Sequence, residues 1–335
     1  MNIRLKKEEI EEQTLSEYAT KSKNSQGRFN SEEECNIRTC FQRDRDRIIH
    51  TKAFRRLMHK TQVFISPEGD HFRTRITHTL EVMQIAKSIA SSLFLNQDLT
   101  EAIALGHDLG HTPFGHLGED VLNEILKEGF RHNEQSVRIV QKIEKDGKGL
   151  NLTKEVLDGI KNHRGKCNPT TLEGKIVQIS DKIAYINHDI DDAIRAGILR
   201  KEDLPKDCID VLGGDAKEMV NFLIRDIIKN SQDKNNIIMT EEVREKLYKL
   251  RQFLFDNVYN SGVLSGERSS YKDMLREIYN YYNKNFEKVP KEFKHICKNG
   301  ESRQQAICDY IAGMTDRYAI KEYDEKIKCI ENKSL

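Results

Sequence analysis

The chain reads as an all-α protein on three observations. Only 5 prolines interrupt 335 residues. Long Glu-, Lys-, Ile- and Leu-rich stretches carry apolar residues at three- and four-residue spacing. Clean alternation of apolar and polar residues is scarce, with Gln62-Val63-Phe64-Ile65 the candidate for a short strand. The length suffices for a large single core or for two fused helical lobes.

Residues 1–40 are polar and charged, with NSQG at 24–27 as a turn, and are expected to form an N-terminal arm packed on the body or on a neighbour. Residues 41–200 hold the candidate chemistry. From Thr77, the expected N-cap, THTLEVMQIAKSIASSLF repeats Val82, Ile85, Ile89 and Leu93 at helical spacing. His78 lies one turn before Val82 on that buried stripe and points inward. Another helix is expected over 172–197, with Ile176, Ile179, Ile183, Ile186 and Ile190 along one face. Asp181, Tyr185 and Asp189 stand at i, i+4 and i+8 on a second face. Val177 and Ala184 nearby suit a helix buried on both sides, one of them facing a cavity. KDGKG at 145–149 and HRGKCNPTT at 163–171 read as loops between core helices. Residues 201–335 resume amphipathic helices and are expected to pack on the core, with KNSQDKNN at 229–236 as an exposed loop.

Composition narrows the functional classes. Lys and Arg number 55 against 54 Asp and Glu, and this net charge of +1 argues against a general nucleic-acid coat. A local basic run remains: Arg43, Arg45, Arg47, Lys52, Arg55, Arg56 and Lys60. It forms either an effector site at a subunit interface or a helix surface salt-bridged to the interleaved Asp44 and Asp46. No segment approaches the ~18 apolar residues of a membrane span. The start MNIRLKKEEIEE lacks the apolar stretch of a signal peptide. Seven cysteines with no CxxC pair suggest reduced thiols, so a cytoplasmic location is expected.

The densest chemistry lies at 107–119, HDLGHTPFGHLGE, in a chain with only 11 His. Imidazoles and carboxylates this close, at a helix end broken by Gly and Pro, suit a divalent-metal site with open positions. A buried Asp181 needs a cation or several donors. His78 from one helix, the pair His107-Asp108 from a second and Asp181 from a third would give two imidazoles and two carboxylates around one ion. Coordination would remain for water and substrate. Glu119 follows His116 by one helical turn and can orient its imidazole as a general acid. Arg75, one turn before His78 if the helix begins that early, can reach a bound phosphate.

The order His78, His107-Asp108, Asp181 resembles the H…HD…D signature of the HD-domain metal phosphohydrolases. The segments RTRITHTLEV (73–82), EAIALGHDLGHTPFGHLGE (101–119), FRHNEQS (130–136), SDKIAYINHDIDD (180–192) and DYIAGMTDRYA (309–319) resemble the deoxyguanosine triphosphate triphosphohydrolase (dGTPase) branch. The run FQRDRDRIIHTKAFRRLMHKTQVF (41–64) is similar to bacterial triphosphohydrolase-like members. The likeness is dense over residues 15–195 and returns near the C terminus, while 200–300 carries no motif that can be placed.

The resemblance implies an HD-domain fold with a multi-helix core and a C-terminal helical lobe. It implies hydrolysis of dGTP, and of other deoxynucleoside triphosphates (dNTPs), to deoxynucleoside and inorganic triphosphate. His78, His107, Asp108 and Asp181 would hold one divalent metal (Mn²⁺, Mg²⁺, Fe²⁺, Ni²⁺ or Co²⁺), and a second Mg²⁺ can arrive with substrate. His116 and Glu119 match the catalytic pair. His111, His132 and Lys182 match triphosphate contacts, and Gln62, Tyr185 and Asp189 match residues around the deoxyribose. An aromatic ring against C2′ would exclude a ribose hydroxyl. His111 replaces an Asn found in some members, and Asp181 follows Asp108 by 73 positions. Both features fit a compact bacterial type that accepts several dNTPs and responds to a dNTP effector at a second site, as a homo-oligomer (tetramer or hexamer). Two other readings stay open: a 5′-nucleotidase or phosphodiesterase on the same metal, and a non-catalytic module binding nucleotide or nucleic acid through the basic run.

Overall fold

Helix dominates the computed structural model, which describes residues 2–62, 72–259, 265–298 and 300–328. Among the described residues there are sixteen α-helices and no strand. In chain order they are α1 (Ile3–Thr14), α2 (Cys40–Ile49), α3 (Lys52–Arg56), α4 (Arg75–Ser92), α5 (Gln97–Gly106), α6 (His116–Ile125), α7 (His132–Arg138) and α8 (Lys154–Asn162). Then follow α9 (Leu172–Arg195), α10 (Lys206–Leu212), α11 (Ala216–Ser231), α12 (Glu241–Leu254), α13 (Ser265–Lys284), α14 (Lys291–Cys297), α15 (Arg303–Ala312) and α16 (Asp316–Tyr323). No described helix is long and apolar enough to cross a membrane. Of the expected strand, Val63, Phe64 and Ile65 lie outside the described residues.

Contacts divide the chain into two units, each assembled from three separate stretches. The first takes Met1–Arg47, Thr77–His107 and Leu152–Leu264; the second takes Ile48–Ile76, Asp108–Asn151 and Ser265–Leu335. The boundaries expected at residues 40 and 200 both fall inside the first unit, and the 201–335 region is shared between the two.

In the first unit α5, α8 and α9 pack on one another, and α9 also packs on α11 and α12. Ile176, Ile183, Ile186 and Ile190 of α9 are buried, and so are Ser180 and Asp189. The helix is therefore covered on both sides, as its two-faced pattern implies. The polar N-terminal segment is tied down by buried carboxylates. Thr20 donates its amide and hydroxyl to Glu173 at 2.9 and 3.0 Å, and Asn96 donates its amide to the same group at 3.0 Å. Asp44 is fully buried and accepts the Arg28 guanidinium and both donors of Thr153.

Helix α4 starts at Arg75, two residues before the expected cap Thr77. A helix start leaves backbone amides without partners, and here the Arg75 amide reaches the Lys60 carbonyl at 3.0 Å. A tertiary acceptor replaces the side-chain cap, so the helix begins earlier. The loop expected at 229–236 begins later, because α11 continues to Ser231. That serine is buried and exchanges hydrogen bonds with Ile238.

The second unit gathers α6, α13, α14, α15 and α16 around Leu117, Val121, Leu122, Leu275, Ile278, Ile307 and Ile311. Phe114 joins this core at a φ of 58° and stacks on Tyr271 with centroids 4.5 Å apart. Such a φ is costly for a bulky residue and persists only where surroundings hold it. Asp316 at the start of α16 supplies that hold, accepting the amides of Phe114 and Thr61, each at 2.9 Å.

Candidate metal centre and active site

In the first unit, three expected ligands meet. His78 from α4 brings Nε2 to 3.1 Å from Asp181 Oδ1, and His107, capping α5, brings Nε2 to 3.8 Å from the same oxygen. His107 donates Nδ1–H to the Ala104 carbonyl at 2.6 Å, so its Nε2 carries the lone pair. Two imidazole nitrogens and a carboxylate oxygen converging in this way fit a divalent cation accepting N and O ligands. Both rings are buried, while the Asp181 side chain keeps 26% exposure. Burial works to raise the Asp181 pKa, but the His78 hydrogen bond and the neighbouring imidazoles outweigh it and hold the group below the usual carboxylate range. Two further histidines surround these ligands. His163 packs edge-on to His107 with centroids 5.0 Å apart, and His188 faces His78. Further along α9, Tyr185 is half-buried and hydrogen-bonds the fully buried Asp189. Burial and that carboxylate push the phenol pKa up. Lys182, beside Asp181, is half-buried.

In the second unit a polar cluster forms. Arg75 donates to Asp108 Oδ2 at 2.8 Å, and His111 Nε2 lies 3.4 Å from Asp108 Oδ1. His111 and His132 stack with centroids 3.9 Å apart, and burial followed by the Arg75 charge drives the His111 pKa well down. His111 is therefore a neutral ring beside a cation. Glu119 sits one turn into α6 and accepts from His116 Nδ1, from His132 Nδ1 and from the His132 amide at 3.1, 3.1 and 3.2 Å. Burial works against the carboxylate, but these donors overcome it and keep Glu119 ionised far below the usual range. His116 stays 54% exposed, with Nδ1 committed to Glu119.

Backbone shape sets this cluster. Gly115 has a φ of 57°, and a Cβ there would lie 3.1 Å from the Arg75 guanidinium and 3.4 Å from the Gln62 carbonyl. Gln62 is buried at this edge. Gly110 lets the chain run against α7, where a Cβ would meet the His132 carbonyl and the Ser136 amide at 2.2 Å.

Several polar residues here take roles that the sequence reading did not assign, Lys60 of the basic run among them. Lys60 is buried and donates Nζ to the carbonyls of His111 and Ala312. Burial, with Arg56 nearby, pulls its pKa down to about 7. Asp309 ties α15 to α7 through Gln135 and Arg138. A signal existed for His188, seven residues beyond Asp181 on one helical face, and for Glu81, one turn after His78. The basic run is largely paired: Arg43 and Arg47 with Glu32, Arg45 with Asp46, and Lys52 with Glu292.

The fold and these clusters find their class in known proteins. The HD domain matches residues 75–186, and a phosphohydrolase-associated domain matches 237–325, covering much of the stretch without a placeable motif. A phosphohydrolase of Bacteroides thetaiotaomicron shares the fold at a TM-score of 0.53 and 18% identity, over 81% of this chain and 65% of its own. The molecule is an HD-domain phosphohydrolase. A "deoxyguanosinetriphosphate triphosphohydrolase-like protein" of Caldanaerobacter subterraneus is 58% identical over 97% of this chain and 96% of its own length. Proteins of that name from Clostridium perfringens and Clostridium tetani are 51% and 50% identical, covering 97% and 96% of this chain and 97% and 95% of their own. The chain belongs to the deoxyguanosinetriphosphate triphosphohydrolase-like family.

Proposed function

We propose that this protein hydrolyses deoxynucleoside triphosphates, dGTP among them, in a metal-dependent reaction that releases the deoxynucleoside and inorganic triphosphate. His78, His107 and Asp181 would hold one divalent ion, with Asp108, the residue after His107, as fourth ligand. When bound, the ion neutralises phosphate charge and acidifies the attacking water.

The remaining work falls to side chains. Arg75 and Lys182 offer cations to the triphosphate oxygens. His111, held neutral by its burial, offers hydrogen bonds rather than charge, and His132 stands stacked beside it. The observation that carries the reading is His116, an exposed imidazole whose Nδ1 is fixed by an ionised Glu119 at 3.1 Å. A proton on its free Nε2 can pass to the departing 5′-oxygen. Tyr185 would close on C2′ and disfavour ribose, while Gln62 and Asp189 hydrogen-bond the 3′-hydroxyl. Activation by a second nucleotide and homo-oligomerisation belong to the same reading.

The test is incubation with each dNTP and with GTP in Mn²⁺, with and without a second dNTP, followed by chromatography. Deoxynucleoside with intact triphosphate, and little turnover of GTP, is the expected result. A monophosphate product would assign the site to a nucleotidase or phosphodiesterase. No turnover, with steeply salt-dependent nucleic-acid binding, would make the protein a binding module.

A further inference from the structure

Glu81 and His188 take no part in the reaction above, yet they lie directly behind His78. His188, buried on α9, brings Nε2 to 2.7 Å from the Glu81 carboxylate. Its Nδ1 lies 3.4 Å from His78 Nδ1, with the two rings nearly perpendicular at 88°. The carboxylate can only accept, so His188 carries its proton on Nε2 and its Nδ1 presents a lone pair. That lone pair can accept a His78 proton carried on Nδ1. Asp181 accepts from His78 Nε2 at 3.1 Å, but with an ion held between the two, Nε2 must offer a lone pair, and the His78 proton then sits on Nδ1, where His188 accepts it. A nitrogen binds a cation only through a lone pair, so an acceptor waiting at Nδ1 favours the one tautomer able to serve as ligand.

We propose that Glu81 and His188 are positioning residues that preset His78 for metal binding by relaying one hydrogen-bond direction from the helix surface to the ligand ring. The proposal rests on the reading of His78 as a metal ligand. It differs from a general charge effect, because Glu81 acts on His78 through His188. Glu81 has 40% of its side chain exposed, so replacing it leaves the core intact. Alanine at that position also keeps high helix propensity.

Mn²⁺ binding to the full-length protein, without nucleotide, measured by the free-ion electron paramagnetic resonance signal, tests the relay. Glu81→Ala and His188→Gln should each weaken Mn²⁺ affinity by roughly 10- to 100-fold, the range expected for partners of a ligating histidine. Glu81→Gln, which keeps an acceptor but loses charge, should fall between Glu81→Ala and the unaltered protein. Circular dichroism should show all three variants folded. Should His188→Gln misfold, the Glu81 pair of variants carries the test. In a folded His188→Gln background, Glu81→Ala should add almost nothing, since residues acting through one another are not additive. Unchanged affinity in folded variants, or full additivity in the double variant, would overturn the relay. An unaltered protein that binds no Mn²⁺ would overturn the metal-centre reading itself.

Discussion

Glu119 shows how one carboxylate can organise two imidazoles. It accepts from both His116 and His132, so its charge fixes the ring proposed to donate a proton and the ring stacked on His111. His116→Ala should therefore lower kcat by roughly 10²- to 10⁴-fold, the usual worth of a positioned proton donor. Mn²⁺ affinity should stay unchanged, because His116 is not among the proposed ligands. Steady-state kinetics beside metal titration would check the pair of outcomes, and a matching loss of metal binding would argue against the assignment. This level of the molecule was the most legible in the sequence. Histidine is scarce in the chain, so its crowding at 107–119 stood out, and the turn from His116 to Glu119 followed from helical spacing. The roles of Glu81 and Lys60 were harder to read: Glu81 stands one turn after His78 and Lys60 ends the basic run, but a charged residue so placed ordinarily faces water. Only tertiary structure shows one touching a buried ring and the other buried among carbonyls.

At the scale of elements, the segment between α5 and α6 is shaped by backbone contacts rather than by side-chain pattern. Gly110 lies where a Cβ would overlap the backbone of α7, and backbone cannot step aside as a flexible side chain does. Gly110→Ala should cost on the order of 1–3 kcal/mol or more, read by chemical denaturation. It should also displace His111 and His132, lowering activity beyond what stability loss explains. A neutral substitution would mean that α7 shifts freely. Helix existence was readable from apolar spacing, as α4 and α9 illustrate. Their ends were less so, because the start of α4 depends on a carbonyl fifteen residues upstream and the end of α11 on a serine reaching across a turn. Such partners leave no local periodicity.

At the scale of the whole molecule, each unit draws on three distant stretches of chain, a partition that periodicity over short windows cannot reveal. One consequence concerns pH. Lys60 titrates near 7 when folded against 10.5 in an open chain, with burial as the leading cause. Between those values the unfolded state holds a proton that the folded state lacks, so this lysine's contribution favours folding as pH rises from about 7 towards 10.5. Lys60→Met should remove that rise. The difference between the two denaturation profiles from pH 6.5 to 10, on the order of that interval, reads it out, and parallel profiles would show that Lys60 keeps an ordinary pKa. The most direct test of the account as a whole is dNTP hydrolysis in ¹⁸O-labelled water with mass analysis of both products. Attack on the α-phosphorus with departure of the 5′-oxygen predicts the label in inorganic triphosphate and none in the deoxynucleoside. Label in the deoxynucleoside, or in a nucleoside monophosphate released with pyrophosphate, would contradict it.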